Sequence, residues 1–201
     1  MIRAFLAVEL SEDLRKELAQ VQQDLKQRLG RDLAKDVRIS WVQSSSIHLT
    51  IKFLGDTDEA LVEPMREALD QAVKGHRAIH IPIERLGVFP HAQQPRVLWV
   101  GAAEQWERGE DAKRLSAMQR VVEDCCESLG FAPEGRPLSP HLTLARIKGG
   151  ERHAGQALAK SGMMDRPISL GTLPVESLVL MKSELRPAGP VYTKLWELRL
   201  P

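Results

Sequence analysis

The sequence predicts an α+β fold with mainly antiparallel strands. Several short segments alternate apolar and polar residues, as strands do, and longer segments repeat apolar residues at helical spacing. The elements follow one another as strand, helix, strands, helix, strands, helix, strands, which differs from the regular alternation of a parallel doubly wound sheet. Short turns between successive strands favour antiparallel pairing. No linker rich in proline or serine divides the chain, so we expect a single domain over residues 1–201.

The first half of the chain begins with a strand and a long helix. Residues 2–10 alternate in the strand pattern, and Ser11 stands where a helix N-cap is expected. Gly30 is placed as the C-terminal cap of this helix. The apolar stripe between the two caps is Leu14, Leu18, Val21, Leu25 and Leu29. Further predicted elements are strands over 37–42, 47–54, 78–85 and 96–101, a helix over 58–74 with Pro64 in its first turn, and a loop over 88–95.

The second half repeats this organisation. A helix is predicted over 111–129, with an apolar stripe of Leu115, Met118, Val122, Cys125 and Leu129. The remaining predictions are strands over 141–147, 168–173, 175–185 and 192–200 and a short helix over 152–161. Both cysteines, Cys125 and Cys126, fall in the long helix. Adjacent cysteines rarely pair, so we expect them to fill the core.

Composition and charge exclude several classes of protein. Lysine and arginine number 28 against 27 aspartates and glutamates, and the aromatic residues are four Phe, four Trp and one Tyr. A protein that binds a long stretch of nucleic acid carries a clear positive excess or a stacking platform, so we expect contact with an end or a short piece at most. No apolar run approaches the ~20 residues of a membrane span, and the N-terminus lacks a signal-peptide pattern. We expect a cytoplasmic protein that does not enter the membrane, in keeping with its low cysteine content.

Two matching strings carry the strongest chemical signal. Both read His-Leu-Thr inside a strand pattern: His48-Leu49-Thr50 and His141-Leu142-Thr143. Residues i and i+2 of a strand point to the same face, so each string presents an imidazole beside a hydroxyl while its leucine points into the core. Two such strands facing each other would gather two imidazoles and two hydroxyls around one small volume.

This set of side chains suits an attack on phosphorus. An unperturbed imidazole titrates near about 6.5, so one histidine can remove a proton from the nucleophile while the other delivers a proton to the leaving oxygen. Threonine hydroxyls can donate hydrogen bonds to the non-bridging oxygens of phosphate. The constellation requires no metal. The plainer interpretation is a pair of strand histidines that are satisfied by local hydrogen bonds.

With these strings and their surroundings, the sequence resembles the 2H phosphoesterase superfamily. Within it, the sequence is most similar to the bacterial and archaeal RNA 2′,3′-cyclic phosphodiesterases, historically called 2′-5′ RNA ligases. The resemblance covers nearly the whole chain. Its matching segments are 3–7, 48–55, 87–90, 95–99, 140–146 and 183–192.

The resemblance implies a bilobal α+β fold, in which two pseudo-symmetric antiparallel sheets backed by helices surround a central cleft. It implies an enzyme that opens a terminal 2′,3′-cyclic phosphate on RNA to leave a 2′-phosphate, with some members also joining or cleaving 2′-5′ linkages. His48 and His141 would be the catalytic pair, and Thr50, Thr143 and Arg146 would bind the phosphate. No cofactor and no metal are expected. The expected partners are RNA ends with a 2′,3′-cyclic phosphate or cyclic nucleotides, and we expect a monomer.

Side-chain parity leads to four further expectations. By strand alternation, Arg146 points to the face opposite to that of His141 and Thr143, so it reaches the cleft only from a strand end or a bulge. The alternative is that Arg146 forms an ion pair at the surface or between the lobes. Lys52 shares the face of the first motif, where it either adds positive potential for RNA or is a solvated lysine. Phe53 has the opposite parity and is expected in the core. Tyr192 either contacts the cleft or packs at a strand start.

Two other functions remain open from the sequence. The protein could be a non-catalytic binder of RNA ends or nucleotides on the same scaffold, although a pure binder would not need two imidazoles. It could also be a phosphodiesterase for a small cyclic phosphate. No His-Glu-x-x-His or Cys-x-x-Cys string indicates a metal site.

Overall fold

The computed structural model describes residues 1–30, 33–187 and 189–200. The helices of these ranges are α1 (Glu12–Gly30), α2 (Val62–Val73), α3 (Glu110–Ser128) and α4 (Glu151–Ser161). The strands are β1 (Ile2–Val8), β2 (Arg38–Trp41), β3 (Leu49–Thr57), β4 (Ile79–Pro82), β5 (Arg85–Phe89), β6 (Val97–Gly101), β7 (Leu142–Gly149), β8 (Thr172–Val175), β9 (Ser177–Arg186) and β10 (Gly189–Arg199). The predicted α+β class is confirmed.

Eight strands form one antiparallel sheet in the order β10-β9-β1-β3-β7-β6-β5, and β2 also pairs with β7. The strands β4 and β8 form a separate two-stranded sheet. The halves β10-β9-β1-β3 and β7-β6-β5 meet at one paired position, Leu49 opposite Leu142. The two expected lobes are therefore two halves of a continuous sheet, joined between the strands that follow the two motif histidines.

The helices pack on one side of this sheet. Helices α2 and α3 pack on each other and on β10 and β3, and α1 and α4 contact each other beside β7. Ser11 caps α1 as predicted, because its Oγ accepts a hydrogen bond from the backbone N–H of Leu14 at 3.3 Å. Cys126 is buried in the core and Cys125 is half-buried, and burial raises the pKa of the Cys126 thiol to about 12. Among the described residues, no helix has both the length and the apolar character to cross a membrane.

The predicted strand over 78–85 is shorter in the structure. It corresponds to β4, which ends at Pro82 and belongs to the small sheet, while β5 begins at Arg85 in the large sheet and extends into the predicted loop over 88–95. The chain passes between them at Ile83 and Glu84, whose N–H groups donate to the carbonyls of Gly171 and Gly101. Alternation reports which residues are buried and not which sheet a strand joins, so the pattern could not reveal this change of sheet.

A β-bulge in β3 reverses the alternation expected after the first motif. Neighbouring residues of β1 pair with Thr50 and Lys52, so Ile51 is an extra residue. An extra residue sends the side chains that follow it to the opposite face, here up to a second register shift at Leu54. The expectation that Lys52 faces the cleft or solvent is therefore wrong, since its side chain is only 1% exposed.

Lys52 is held in the core by a buried ion pair. Its Nζ donates to Oε2 of Glu123, from α3, at 2.6 Å and to the carbonyl of Ala132 at 2.9 Å. Glu123 also accepts a hydrogen bond from the backbone N–H of Glu134 at 3.1 Å. The ion pair thus ties the strand of the first motif to the segment that leads to His141.

Removing one partner of this pair should destabilise the protein strongly. We expect Lys52→Met to lower the free energy of unfolding by about 3–5 kcal/mol, because it leaves the carboxylate of Glu123 buried without its counter-charge. The double variant Lys52→Met/Glu123→Gln removes both charges and keeps an acceptor for Glu134, so it should recover much of the loss. Urea unfolding measures both values.

Lys113→Met is the matched control, since its ion pair with Glu110 is exposed. Its effect should stay within about 0.5 kcal/mol. If the single and double variants lose the same stability, the loss does not come from leaving the charge of Glu123 buried without a partner.

Candidate active site

The two His-Leu-Thr motifs cross where the halves of the sheet join. His48 and His141 each stand one residue before their strands, β3 and β7. The antiparallel register through Leu49 and Leu142 places His48 beside Thr143 and His141 beside Thr50. Both leucines are buried on the opposite face. The structure therefore brings together the four motif residues that the sequence predicted to share one site.

A backbone carbonyl fixes the orientation of each imidazole. Nδ1–H of His48 donates to the carbonyl of Ser46 at 2.9 Å, and Nδ1–H of His141 donates to the carbonyl of Ser139 at 2.8 Å. A carbonyl oxygen can only accept, so Nδ1 carries the hydrogen in both rings. The neutral form of each ring then has Nε2 as the basic nitrogen, and the protonated form has Nε2–H as the acid.

Aromatic rings enclose both histidines. The ring of Phe5 stacks on His48 with centroids 4.6 Å apart, and Tyr192 meets His48 edge-on at 5.2 Å. Around His141, the centroid distances are 5.0 Å to Phe89 and 6.2 Å to Trp99. Tyr192 therefore contacts His48 and also packs against the small apolar cluster around Phe5, so both alternatives left open for it apply.

Burial lowers the pKa of both imidazoles below the ordinary value of 6.5. For His48, the carbonyl of Ser46 opposes this effect, whereas the positive charges of Arg15, Arg146 and His141 lower the pKa further. For His141, the carbonyl of Ser139 opposes burial, and Arg146 adds to it. The free site therefore favours neutral rings at neutral pH, until a negative charge enters the cleft.

A second β-bulge places Arg146 on the face of the motif. Neighbouring residues of β6 pair with Thr143 and Ala145, so Leu144 is the extra residue of β7. After the bulge, the alternation of side chains between the two faces is reversed. Strand alternation in the sequence required a bulge or a strand end for Arg146 to reach the cleft, and this bulge provides it. Its charge acts on His48, His141 and Tyr192. Among residues 1–30, 33–187 and 189–200, no carboxylate forms an ion pair with Arg146.

The buried side chain of Gln22 supports this bulge from α1. Its Nε2 donates to the carbonyls of Leu144 and Val42, both at 2.8 Å. The carbonyl of Leu144 also accepts the backbone N–H of Val42 at 2.9 Å. The sequence placed Val21 in the buried stripe of α1, yet Val21 is only half-buried while Gln22 is 5% exposed. The amide occupies the core because it satisfies the bulged carbonyl.

The expectation that Phe53 lies in the core is wrong for the same reason as for Lys52. The bulge at Ile51 turns Phe53 to the cleft face, where its side chain is 61% exposed and its ring lies 6.3 Å from that of Phe5. Phe53 and Arg146 each stand five residues after their motif histidine. The two bulges therefore bring an aromatic ring to one side of the site and a guanidinium to the other.

Comparison with known proteins gives the family. The family model described as LigT like Phosphoesterase matches residues 8–99 and 109–192. The chain belongs to this family. The resemblance that the two motifs indicated is thus confirmed, and the enzyme class is that of phosphoesterases.

Several relatives of this phosphoesterase match over nearly their full length. The RNA 2′,3′-cyclic phosphodiesterase of Methanothermobacter thermautotrophicus is 33% identical over 199 residues, which cover 99% of both chains. That of Thermus thermophilus is 30% identical over 204 residues, covering 96% of this chain and 88% of the relative. Another, from Aeropyrum pernix, is 32% identical over 163 residues, with 81% and 87% covered.

Solved structures of phosphoesterases share the fold. A crystal structure of a Thermus thermophilus protein superposes with a TM-score of 0.69 at 31% identity, covering 99% of this chain and 98% of that one. The apo form of Escherichia coli LigT superposes with a TM-score of 0.67 over 99% of this chain and 97% of that chain. Its identity is 19%, so this similarity concerns the fold alone.

Apart from Tyr192, the aromatic residues around the two histidines were not identified as site residues from the sequence. Phe5, Phe89 and Trp99 lie in segments that carry the family resemblance, and this was the one feature of the sequence that could have indicated their place at the site. Strand alternation gave them no role, since an aromatic residue in a strand is ordinarily a packing residue. Among the described residues, no group of three or more His, Cys, Asp or Glu side chains could hold a metal ion.

The substitution Gly87→Ala should disturb the site through Trp99. Gly87 pairs with Trp99 across β5 and β6, and a Cβ there would collide with the indole ring. We expect a loss of stability of about 1–3 kcal/mol from overpacking. Displacement of Trp99 and its neighbour His141 should also lower kcat by at least about tenfold, because the sequence predicts that His141 transfers a proton.

Urea unfolding and steady-state kinetics on a nucleoside 2′,3′-cyclic phosphate measure these two effects. Gly75→Ala is the control, because a Cβ at Gly75 meets nothing within 4 Å. A Gly87→Ala protein with normal kcat would show that the position of Trp99 does not matter to His141.

Proposed function

We propose that this protein is an RNA 2′,3′-cyclic phosphodiesterase that hydrolyses a terminal 2′,3′-cyclic phosphate to a 2′-phosphate. One observation carries the proposal: two imidazoles, each with Nδ1–H bound to a carbonyl, flank two threonines at the strand crossing. An acid and a base on either side of a phosphate are what hydrolysis of a phosphodiester requires. The names of the relatives from Methanothermobacter and Thermus support this substrate class.

In the proposed mechanism His141 is the base and His48 is the acid. Neutral His141 accepts at Nε2 a proton from the water that attacks phosphorus. A bond forms between this water oxygen and phosphorus as the bond from phosphorus to the 3′ oxygen breaks in line. Protonated His48 donates from Nε2–H to the departing 3′ oxygen, which leaves a 3′-hydroxyl and a 2′-phosphate. Transfer of a proton from His141 to His48 through solvent restores the starting state.

Three side chains are proposed to hold the phosphate. The hydroxyls of Thr50 and Thr143 donate to its non-bridging oxygens, and Arg146 donates from its guanidinium. Both threonines lie on the cleft face beside the opposite histidine, and Arg146 is exposed on the same face after its bulge. These donors stabilise the charge that builds on the oxygens in the transition state.

The proposal extends to the whole chain and its partners. Residues 1–201 would form one catalytic domain, with the cleft between the two halves of the sheet. The substrates would be RNA with a 2′,3′-cyclic phosphate end or a cyclic nucleotide, bound by a monomer. An RNA 5′-hydroxyl in place of water would attack the same phosphorus and form a 2′-5′ linkage, so the same site would support ligase activity. The reaction would proceed without a metal or a cofactor.

Product analysis of an RNA with a 2′,3′-cyclic phosphate end tests the proposal. We expect a 2′-phosphate product in the presence of a chelator. His48→Ala and His141→Ala should each lower turnover by about 10²–10⁴-fold, because each removes an acid–base group. His91→Ala is the control, since His91 is exposed in a loop.

The other functions predict different results from this experiment. Binding of the RNA end without turnover would identify a binder. Turnover of a nucleoside cyclic phosphate alone would identify a small cyclic phosphate as the substrate. A requirement for added metal would contradict the two-histidine mechanism.

The dependence of the rate on pH should be bell-shaped and displaced towards acid. The protonated acid is lost as pH rises through its pKa, and the neutral base is lost as pH falls through its own. Burial lowers the pKa of both His48 and His141, so kcat/KM should reach its maximum below neutrality. Bound phosphate favours protonated imidazole, so the alkaline limb of kcat should lie at higher pH than that of kcat/KM.

Steady-state rates on a nucleoside 2′,3′-cyclic phosphate between about pH 5 and 9 measure this profile. A flat profile over that range would exclude paired histidines as acid and base.

A further inference from the structure

The turn before His48 controls the orientation of its ring. Residues Ser44–Ser46 form a short 3-10 turn, and the carbonyl of Ser46 accepts the Nδ1–H of His48 at 2.9 Å. Any movement of this turn therefore rotates or releases the imidazole. What holds the turn in place determines where Nε2 of His48 lies relative to the phosphate.

Arg15 of α1 is the side chain that holds this turn. Its Nη1 donates to the carbonyls of Ser44, at 3.4 Å, and Ser45. Its Nε donates to the carbonyl of Leu10 at 3.2 Å, at the end of the loop that precedes α1. The side chain is only 15% exposed, so these bonds are largely shielded from water. The planar guanidinium thus joins three backbone carbonyls from two segments, which a single ammonium group matches poorly.

We propose that Arg15 is a positioning residue for His48, which acts by fixing the carbonyls of the Ser44–Ser46 turn. This inference rests on the proposed function, because it assumes that His48 transfers a proton. Arg15 itself would touch neither substrate nor the reacting atoms. Its effect would reach the reaction through the Ser46 carbonyl and the ring that this carbonyl orients.

The second motif has no equivalent support among the described residues, which makes the effect specific to one histidine. The segment Pro137–Ser139 precedes His141 as the turn Ser44–Ser46 precedes His48. Beside this segment lies a cavity of about 240 Å³, to which α3 contributes Ala112, Leu115 and Ser116. None of the residues that line this cavity is a lysine or an arginine, whereas α1 supplies Arg15 to the turn before the first motif.

The charge of Arg15 also affects the pKa of His48, so this pKa can be measured as a second test of the role of Arg15. The charged and titratable groups that act on His48 are Arg15 from α1, Arg146 and His141 from β7, and Tyr192 against its ring. The positive charge of Arg15 lowers the pKa of His48, whereas the groups that shift His141 do not include Arg15. Removing this charge alone should raise the pKa of His48, whereas release of the Ser46 carbonyl should lower it, and the carbonyl has the larger effect. The pKa of His141 should not change.

The test compares Arg15→Met with Arg15→Lys. Arg15→Met removes both the charge and the donors, so we expect kcat on a nucleoside 2′,3′-cyclic phosphate to fall by about 10–10²-fold with little change in KM. Loss of the Ser46 hydrogen bond lowers the pKa of His48 more than loss of the Arg15 charge raises it, so the limb of the pH–rate profile that belongs to His48 should move to lower pH. A move to higher pH would mean that only the charge was lost and would contradict the positioning role. Arg15→Lys keeps the charge, so it should recover part of kcat, and any lowering of the pKa of His48 in this variant reports the loosened carbonyl.

Lys16→Met is the matched control, because it removes a positive charge from the same helix at an exposed position. It should leave kcat and both histidine pKa values unchanged. Turnover of Arg15→Met within twofold of the unmodified protein would overturn the proposal. An equal change of pKa at both histidines would also overturn it, since that result would mean general disruption.

NMR titration of labelled histidines separates this inference from the proposed function. The Nδ1–H signal of His48 should be protected from exchange in the unmodified protein and weakened in Arg15→Met, whether or not the substrate is correct. If neither protein turns over the cyclic phosphate but Arg15→Met still weakens the protection of the Nδ1–H, the proposed substrate is wrong and the positioning role is supported. Unchanged protection would refute the positioning role. If Arg15→Met does not fold, the same measurements are made on Arg15→Lys. A lower kcat together with weaker protection of the His48 Nδ1–H would support the positioning role, and an unchanged kcat would overturn it.

Discussion

The pairing of Leu49 with Leu142 is the constraint on which the site depends. It is the one position at which β3 and β7 pair, and both side chains are buried beneath the sheet. On either side of it the strands separate, because β3 continues along β1 while β7 continues along β6 and β2. The two motifs therefore stand where the two halves of the sheet diverge. A single strand contact fixes the position of His48 relative to His141.

The two bulges depend on different supports from the helix side. In β7, the amide of Gln22 satisfies the carbonyl of the extra residue, Leu144. In β3, the residue after the extra one is Lys52, and its pairing with Glu123 keeps the strand against α3. A reversed alternation always sends to the core a side chain that plain alternation would expose. In each half, a buried side-chain nitrogen donates two hydrogen bonds at the bulge, Nε2 of Gln22 in one and Nζ of Lys52 in the other. The cleft residues are therefore placed by contacts on the opposite face.

The fold class and the four motif residues could be predicted from the sequence, because period-two alternation and the repeated His-Leu-Thr string are local signals. The positions of Lys52 and Phe53 could not. A bulge depends on which residues of the neighbouring strand pair with which, and a single strand does not record that information. Arg146 is a related case. The sequence indicated that this side chain needs a bulge or a strand end to reach the cleft, but it could not show where the bulge lies.

The surroundings of the two histidines differ in a way that favours distinct roles. Arg15 acts on His48 and not on His141, whereas Arg146 acts on both rings and the two rings act on each other. Positive neighbours make a protonated imidazole a stronger acid, which suits the group that delivers a proton to the leaving oxygen in the proposed mechanism. His141 lacks the contribution of Arg15, which suits the group proposed to take a proton from water. The negative phosphate would oppose the lowering of the His48 pKa only when substrate is present, so the proposed acid would become charged where it is needed.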